Sequence, residues 1–513
     1  RPEGYPLPPA LHPSMSLPSG DCLGQYHPHS GWTYGQGKNT LQRMGDDKYH
    51  HNRKENIYWP FPNRCEWALG KFLTENFTQA QINTFLRLSW AITIFPQFDD
   101  KPKPSFLSVH ELLGWIDALP SGPKWKITEI EVEGYNVEKK IELIYQDGLE
   151  VVDSLFRNPI FAQSMSFDPL KIWQDSVPKY GEWFTAREAT RIQDSLPHGA
   201  TLIPIIAASD KTPVTRQTGG LKMHPLFLTV ANIDSDVHMK ATAHTWCCVA
   251  FIPISKFEIH PDYQTILQSC VWHNCVDIVL AKLKHAANTG VFMTDPFGAT
   301  RYCFTPLIAW TADLPEQQMI TYGTNPWNLN RFQKACKAIF LLGVHQPFWR
   351  NWAHTDPCIS LLPKVLHMLH KFFFNHPLSW CKEVVRKDEL NAHYKVYHKH
   401  IGVCHFASGI SHIKQMTGHE HRDIQRTIVP MIAGVAPEEV VHAIHALIDF
   451  IYHAQRPVYT EVSIQHMEHS YFLPMLKDYI LWCSNNSDTI RTLETFNILK
   501  VGYKFRVQQY SSS

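Results

Sequence analysis

Apolar residues recur at helical spacing over much of the chain, and the pattern changes character at residue 199. Before that point, "YWPFPNRCEWALGKFLTENFTQAQINTFLRLSW" and "SFLSVHELLGWIDAL" carry a helical period, the second with Ser108 placed as an N-cap. "KWKITEIEVEGYN" and "KKIELIYQ" alternate on either side of Gly-Tyr-Asn, which predicts a hairpin. "GLEVVDSLFRNPIFAQSM" returns to a helical period. Residues 56–198 therefore read as mainly helical with one hairpin. Residues 1–55 are rich in Pro, Gly, Ser and His without periodicity, and read as disordered or loosely ordered.

From residue 199 three short apolar runs follow one another, "GATLIPIIAASDK", "HPLFLTVANID" and "TWCCVAFIPIS". Runs of this length bounded by turn signals fit buried strands. A long helix is expected over "DYQTILQSCVWHNCVDIVLAKLKHAAN", with Ile266, Val271, Cys275, Val279 and Leu283 on one face, and then a fourth strand over "RYCFTPLIAWTAD". Strand, strand, strand, helix, strand predicts an α/β core over 199–330. Residues 331–480 read as helical, through "NRFQKACKAIFLLGV", "ISLLPKVLHMLHK", "ELNAHYKVYHKH", "HRDIQRTIVPMIAG" and "PEEVVHAIHALIDFIYHAQ". The last has Pro and two acids in its first turn, a good helix start. Residues 481–513 read as a truncated C-terminal segment.

Composition adds limits. With 513 residues, 44% hydrophobic and 19% charged, the chain is long enough for several domains and a sizeable core. A formal net charge of +1 gives no whole-chain attraction to nucleic acid or membrane, so DNA binding requires a local patch. Twelve scattered cysteines without a Cys-x-x-Cys pair point to buried thiols in a reducing compartment. No apolar run reaches membrane-spanning length, and no membrane partner is expected. The opening "RPEGYPLPPALHPSMSLPSG" lacks Met and an apolar core, which reads as a fragment or processed product without a signal peptide.

Two acids carry the candidate chemistry. Asp210 ends "IPIIAASDKT" and Asp313 ends "IAWTADLPEQ", each just past a strand-like run. Each also fits a turn, since Pro213 and Pro315 follow closely. If strands one and four lie side by side, both carboxylates reach one sheet edge. Paired hard oxygen ligands suit Mg²⁺ or Mn²⁺, which can assist attack on a phosphodiester. Histidine spacings such as His367/His370, His393/His398/His400 and His419/His421 could hold zinc, but thirty histidines make chance neighbours common, and zinc is not expected. Trp67, Trp115, Trp173 and Trp183 fit core anchors better than base-stacking platforms. No P-loop, Gly-x-Gly-x-x-Gly or nucleophile-elbow frame is present.

Colinear segments bring a family into view. "YWPFPNRCEWALGKFL", "ATLIPIIAASDKT", "HPLFLTVANI", "IAWTADLPEQ", "FWRNWAHTDPCISLLPKVLHMLHK", "HFASGISHIKQMTGHEH" and "ALIDFIYHAQ" resemble, in order, segments of the Plavaka-type transposases of fungal mobile elements, relatives of the CACTA group. The resemblance implies an RNase H-like mixed sheet flanked by helices and an Asp-Asp-Glu metal site for DNA cleavage and strand transfer. Asp210 matches the first acid and Asp313 the second. It also implies DNA element ends as the partner, a nuclear location and room for a homo-oligomer.

Three departures accompany it. Where the family usually carries Pro-Asp-x-x-His, this chain has Pro363-Lys364-Val365-Leu366-His367. Lys364 would replace a carboxylate by an ammonium, although it also fits a solvated helix position. The family's cysteine-rich knuckle is missing after "DLPEQ", and "TFNILKVGYKF" resembles the segment ahead of the third acid, which is expected to be absent. Glu461 and Glu468 are weak substitutes. The leading expectation is a transposase-like protein, inactive or nearly so. The alternatives are a domesticated, non-enzymatic DNA- or protein-binding module and, far behind, a small-molecule hydrolase with a His-based site.

Overall fold

The computed structural model describes residues 22–88, 104–132, 134–213, 222–312, 347–356, 360–363, 366–399, 401–413 and 416–472. The strands in chain order are β1 (Cys22–Tyr26), β2 (Thr33–Gln36), β3 (Lys126–Glu129), β4 (Glu142–Tyr145), β5 (Leu170–Gln174), β6 (Val177–Tyr180), β7 (Thr201–Leu202), β8 (Ile205–Ser209), β9 (Thr212–Pro213), β10 (Lys222–Met223), β11 (Pro225–Val230), β12 (Cys247–Phe251), β13 (Val291–Thr294), β14 (Ala299–Phe304), β15 (Leu307–Ala312), β16 (Leu361–Pro363) and β17 (Tyr459–Thr460). Helices cover and connect them, so the fold is mixed α/β.

The largest sheet has seven strands in the order β16-β15-β8-β11-β12-β4-β3. β8, β11 and β12 are successive antiparallel neighbours, as their closeness in sequence favours. β15 lies parallel to β8, and β16 parallel to β15. The expected order of three strands, a helix and a strand is therefore present in this sheet. The predicted hairpin is also present, with Ile127 opposite Ile144, and it extends the sheet through Phe251 opposite Ile144.

Helix Pro261–Thr289 lies between β12 and β15 in the chain and buries Val271, Cys275, Val279 and Leu283, the face its period predicted. Trp272, Val276 and Leu280 join the same core, which includes Leu226, Leu228, Val230 and Trp310 from the sheet. Each such aliphatic side chain contributes roughly 1.5–3 kcal/mol when removed from water. Helix Gly148–Phe156 packs against the same helix at close range. A Cβ on Gly148 would sit 3.0 Å from the Val279 carbonyl oxygen, which a glycine avoids.

The aromatic segment "PFWRNWAHTD" fastens these layers together. The Phe348 backbone N–H donates to His273 Nδ1 at 3.2 Å, and its carbonyl accepts from Lys284 Nζ at 3.1 Å. Trp352 Nε1 donates to the Thr305 carbonyl at 3.0 Å, and Thr355 Oγ1 accepts from the Leu307 N–H at 3.1 Å. The segment thus ties the long helix to the start of β15.

Three expectations need correction, and one element was not foreseen. Residues 22–55, expected to be loosely held, supply β1 and β2, which pair with β5 and β14. They are anchored further where Arg301, buried against Asp295, donates to the Gly31 carbonyl at 3.0 Å. Polar loop-like composition hides strands that are short and lie on existing sheets. The run "RYCFTPLIAWTAD" is two strands, because Thr305-Pro306 separates β14 from β15 and sends them to different sheets. "ISLLPKVLHMLHK" is not one helix. Leu361–Pro363 is a strand, and a wide helical turn begins only at Leu366. Short apolar runs do not distinguish the two states, and Pro363 is tolerated because β16 is the edge of the sheet among the described residues. The β5–β6 hairpin was not expected at all.

A second hydrophobic core holds the later helices, Pro377–Val384, Lys387–Val396, Gly418–Ile432 and Glu438–His453, through Leu378, Leu390, Ile428, Ile444 and Ile451. "NRFQKACKAIFLLGV" lies outside the described residues. His370 and His421 are buried in this region with their rings 6.5 Å apart, and His370 Nδ1 donates to Gln425 Oε1 at 2.9 Å.

Two measurements test these contacts. Ser209 Oγ accepts from Trp310 Nε1 at 3.0 Å in the sheet interior. Ser209→Ala strands that indole donor and is expected to cost about 1–3 kcal/mol in urea unfolding; an unchanged midpoint would show that the bond contributes nothing. Burial lowers the pKa of both His370 and His421, and for His421 the neighbouring His370 charge adds to it. The unfolded chain takes up these protons below about pH 6.5, before the folded chain does. Their contribution is thus fully present above pH 6.5 and is lost as pH falls towards the depressed folded values. His421→Gln should flatten that acid loss of stability; an unaltered pH profile would contradict it.

Candidate active site

β8, β15 and β16 end side by side. Their parallel register aligns Ala207 with Trp310 and Trp310 with Leu361, then Ala208 with Thr311 and Thr311 with Leu362. The next described partners are Ala312 and Pro363. In sequence, Asp210, Asp313 and Lys364 are the residues that directly follow Ser209, Ala312 and Pro363, the last residues of these three strands. Each stands three positions beyond a member of the Ala207–Trp310–Leu361 row. Asp313 and Lys364 themselves lie outside the described residues, and His367 is described only as part of the turn Leu366–Lys371.

Asp210 is exposed, immediately after the last β8 residue. Its backbone carbonyl is 3.5 Å from Thr212 Oγ1. The strands that lead to it are packed through a cluster of aromatic rings. Trp310 packs against Trp272 with ring centres 5.6 Å apart and against Phe348 at 4.8 Å, and His273 stacks on Phe348 at 5.6 Å. His224, also buried, lies 6.1 Å from Trp272. An exposed carboxylate that directly follows a packed strand can take a metal ion or a proton with little ordering of its backbone on binding.

A basic feature beside Asp210 escaped the sequence reading. β9 pairs with β10, placing Met223 opposite Thr212 and Lys222 opposite Pro213. This brings Lys222 near Lys211, whose pKa is lowered by partial burial and by the Lys222 charge. The sequence signal was Gly219-Gly220 between the two lysines, a dipeptide that marks a turn, although these glycines lie outside the described residues. Two ammonium groups beside an acid suit an anionic ligand such as a phosphodiester.

The other candidates separate. Glu461 accepts from Arg187 Nη2 at 3.1 Å and from the Tyr180 hydroxyl at 3.3 Å, an engagement with β6 and the helix that follows it. The side chain of Glu468 lies outside the described residues. His393 donates to the Met431 carbonyl at 2.7 Å, while His398 and His419 are exposed. Among the described residues, no group of three or more His, Cys, Asp or Glu side chains is placed to hold a metal ion. Also among them, no helix is long and apolar enough to cross a membrane.

Of the tryptophans, Trp67 and Trp115 pack in or against the small core around Phe61 and Leu112, as anchors. Trp183 packs edge-on against Phe184 at 5.3 Å. Trp173 instead lines a groove.

Comparison with known families adds to this geometry. The family model described as Plavaka transposase matches residues 106–330 and 322–381, and so covers β8, β15, β16 and the aromatic clamp together. No curated protein matches the chain. The matched stretch is more than half of the 513 residues and contains the strand ends that carry Asp210 and precede Asp313 and Lys364, so the chain belongs to the Plavaka transposase family.

Proposed function

We propose that the edge formed by the ends of β8, β15 and β16 is the phosphodiester-cleaving centre of a DNA transposase, impaired in this chain by Lys364. The observation that carries this reading is the parallel register of β8 with β15, which brings Asp210 and the chain leading to Asp313 to one edge. The order β12-β11-β8-β15-β16, with β15 and β16 parallel to β8, supports an RNase H-like arrangement.

Asp210 and Asp313 are the residues that would hold Mg²⁺ or Mn²⁺, whose hard character matches carboxylate oxygen. When bound, the ion would supply Lewis-acid polarisation of the phosphoryl group and activation of a water or a DNA 3′-hydroxyl as nucleophile. Lys211 and Lys222 would hold the phosphate that carries the scissile bond, through charge-assisted hydrogen bonds. The Trp310, Trp272 and Phe348 packing keeps the strand ends from moving apart as charge accumulates. DNA element ends as substrate, a nuclear location and assembly into a homo-oligomer belong to the same reading.

Lys364 works against this centre. Exchanging a carboxylate for an ammonium changes the local charge by two units beside a divalent cation and opposes its binding. The same residue favours the second reading, in which the chain keeps the fold as a domesticated, non-enzymatic DNA- or protein-binding module.

Calorimetric titration with Mn²⁺ tests the proposal. Lys364→Asp is expected to tighten Mn²⁺ binding by at least tenfold, about 1.4 kcal/mol, and adding Asp210→Ala is expected to abolish the gain. No gain from Lys364→Asp would remove this edge from metal binding. Metal-dependent cutting of element-end DNA by the unaltered chain, lost in Asp210→Ala, would contradict the impairment and leave the cleavage centre standing.

A further inference from the structure

A groove of about 410 Å³ lies between the β5–β6 hairpin and helix Arg187–Asp194. On β5, Lys171 and Trp173 are two residues apart and so share one face of the strand. Lys171 is exposed and has no hydrogen-bond or ion-pair partner among the described residues. Trp173 is half-buried and paired with Pro178 across the hairpin. The opposite wall carries Arg187 and Arg191, four residues apart and therefore on one face of their helix.

The arginines are held in place. Arg187 donates from Nε to the Tyr180 hydroxyl at 3.0 Å and from Nη2 to Glu461 at 3.1 Å. Arg191 donates from Nε and Nη2 to Glu188 at 2.7 and 2.6 Å, which leaves Nη1 for a further acceptor. Asp194 on the rim is tied to His27 at 2.9 Å. Glu188 and Glu461 are thus engaged by the arginines, Asp194 keeps its carboxylate at the rim beside a histidine, and Lys171 and Lys179, the latter 3.2 Å from Gln174 Oε1, add two ammonium groups to the lining. One wall therefore offers an ammonium without an ion-pair partner among the described residues beside an indole face, and the other a fixed guanidinium edge.

We infer that this groove binds a single-stranded segment of DNA, with phosphates on Lys171 and Arg191 and a base stacked on Trp173. A phosphate-seeking cation next to an aromatic platform is the pairing that single strands use, since every base has a stacking face and every linkage a charge. Concave sites of this size hold ligands of about one or two nucleotide units. The choice of DNA as the polymer rests on the function proposed above, while the groove itself does not depend on Asp210, Asp313 or a metal ion.

Fluorescence anisotropy of a fluorescein-labelled oligothymidylate, titrated with the full chain in EDTA over a series of salt concentrations, tests this. Lys171→Gln is expected to reduce the slope of log affinity against log salt by about 0.7. Trp173→Ala is expected to lose roughly 5- to 150-fold in affinity with the slope unchanged, and Trp173→Phe to regain most of it. Lys256→Gln, which removes an equal charge elsewhere, should leave both readouts unaltered. Urea unfolding of each variant checks that the fold is intact. Failure of the unaltered chain to bind the single strand, equal binding by all variants, or an equal loss in Lys256→Gln would each overturn the inference. Because the assay contains EDTA, such a failure would not touch the cleavage centre, and a failed Mn²⁺ titration would not touch the groove.

Discussion

Ile205–Ser209 and Leu307–Ala312 run parallel, and parallel neighbours cannot be joined by a tight turn. About a hundred residues separate them in this chain, and much of the surrounding structure serves to return the second strand to the first. Helix Pro261–Thr289 supplies the apolar layer over the sheet. The β13–β14 hairpin follows it, and Thr305-Pro306 then redirects the chain into β15. Trp310 fixes the result from inside the sheet through its bond to Ser209 and its packing on Trp272 and Phe348. Without that pairing, Asp210 would be an acid in a turn.

The aromatic clamp has a structural role that its family resemblance alone did not suggest. Phe348 and Trp352 are almost completely buried, and their backbone and indole groups bond the long helix and the start of β15. This segment, which lies within the family match, thus ties the long helix to the start of β15. On the function proposed here, the chemistry is confined to the few residues that leave the strands, and the substitution at Lys364 changes that chemistry without requiring a change in the sheet.

Much of the sheet was legible in the sequence because its strands are apolar runs closed by turn residues, and because the long helix repeats Val271, Cys275, Val279 and Leu283 at helical spacing. Ser108 and the Gly-Tyr-Asn hairpin were legible for equally local reasons, and the cap is formed, with Ser108 accepting from the Glu111 N–H at 3.2 Å. What escaped depends on partners distant in sequence. β1 and β2 are short polar stretches whose pairing with β5 and β14 is not encoded by period. Leu361–Pro363 looks like part of a helix until β15 is beside it. For the candidate site, strand order admitted the pairing of β8 with β15 as one sheet arrangement, and the structure has it. The approach of Lys222 to Lys211, and the groove beside Trp173, required the hairpins to be placed.

The separation of the Asp210 and Asp313 carboxylates decides whether these strand ends form one centre. A crystal structure of the Lys364→Asp variant grown with Mn²⁺ would give it, together with the anomalous signal of the ion. Two carboxylates that share an ion at roughly 2.0–2.6 Å per bond must approach within about 5 Å of each other. The expected result is that separation, with the Mn²⁺ peak between Asp210 and Asp313. Carboxylates more than about 10 Å apart, or a peak held by other residues, would contradict the assignment and leave the chain as a member of its family with no metal centre at this edge.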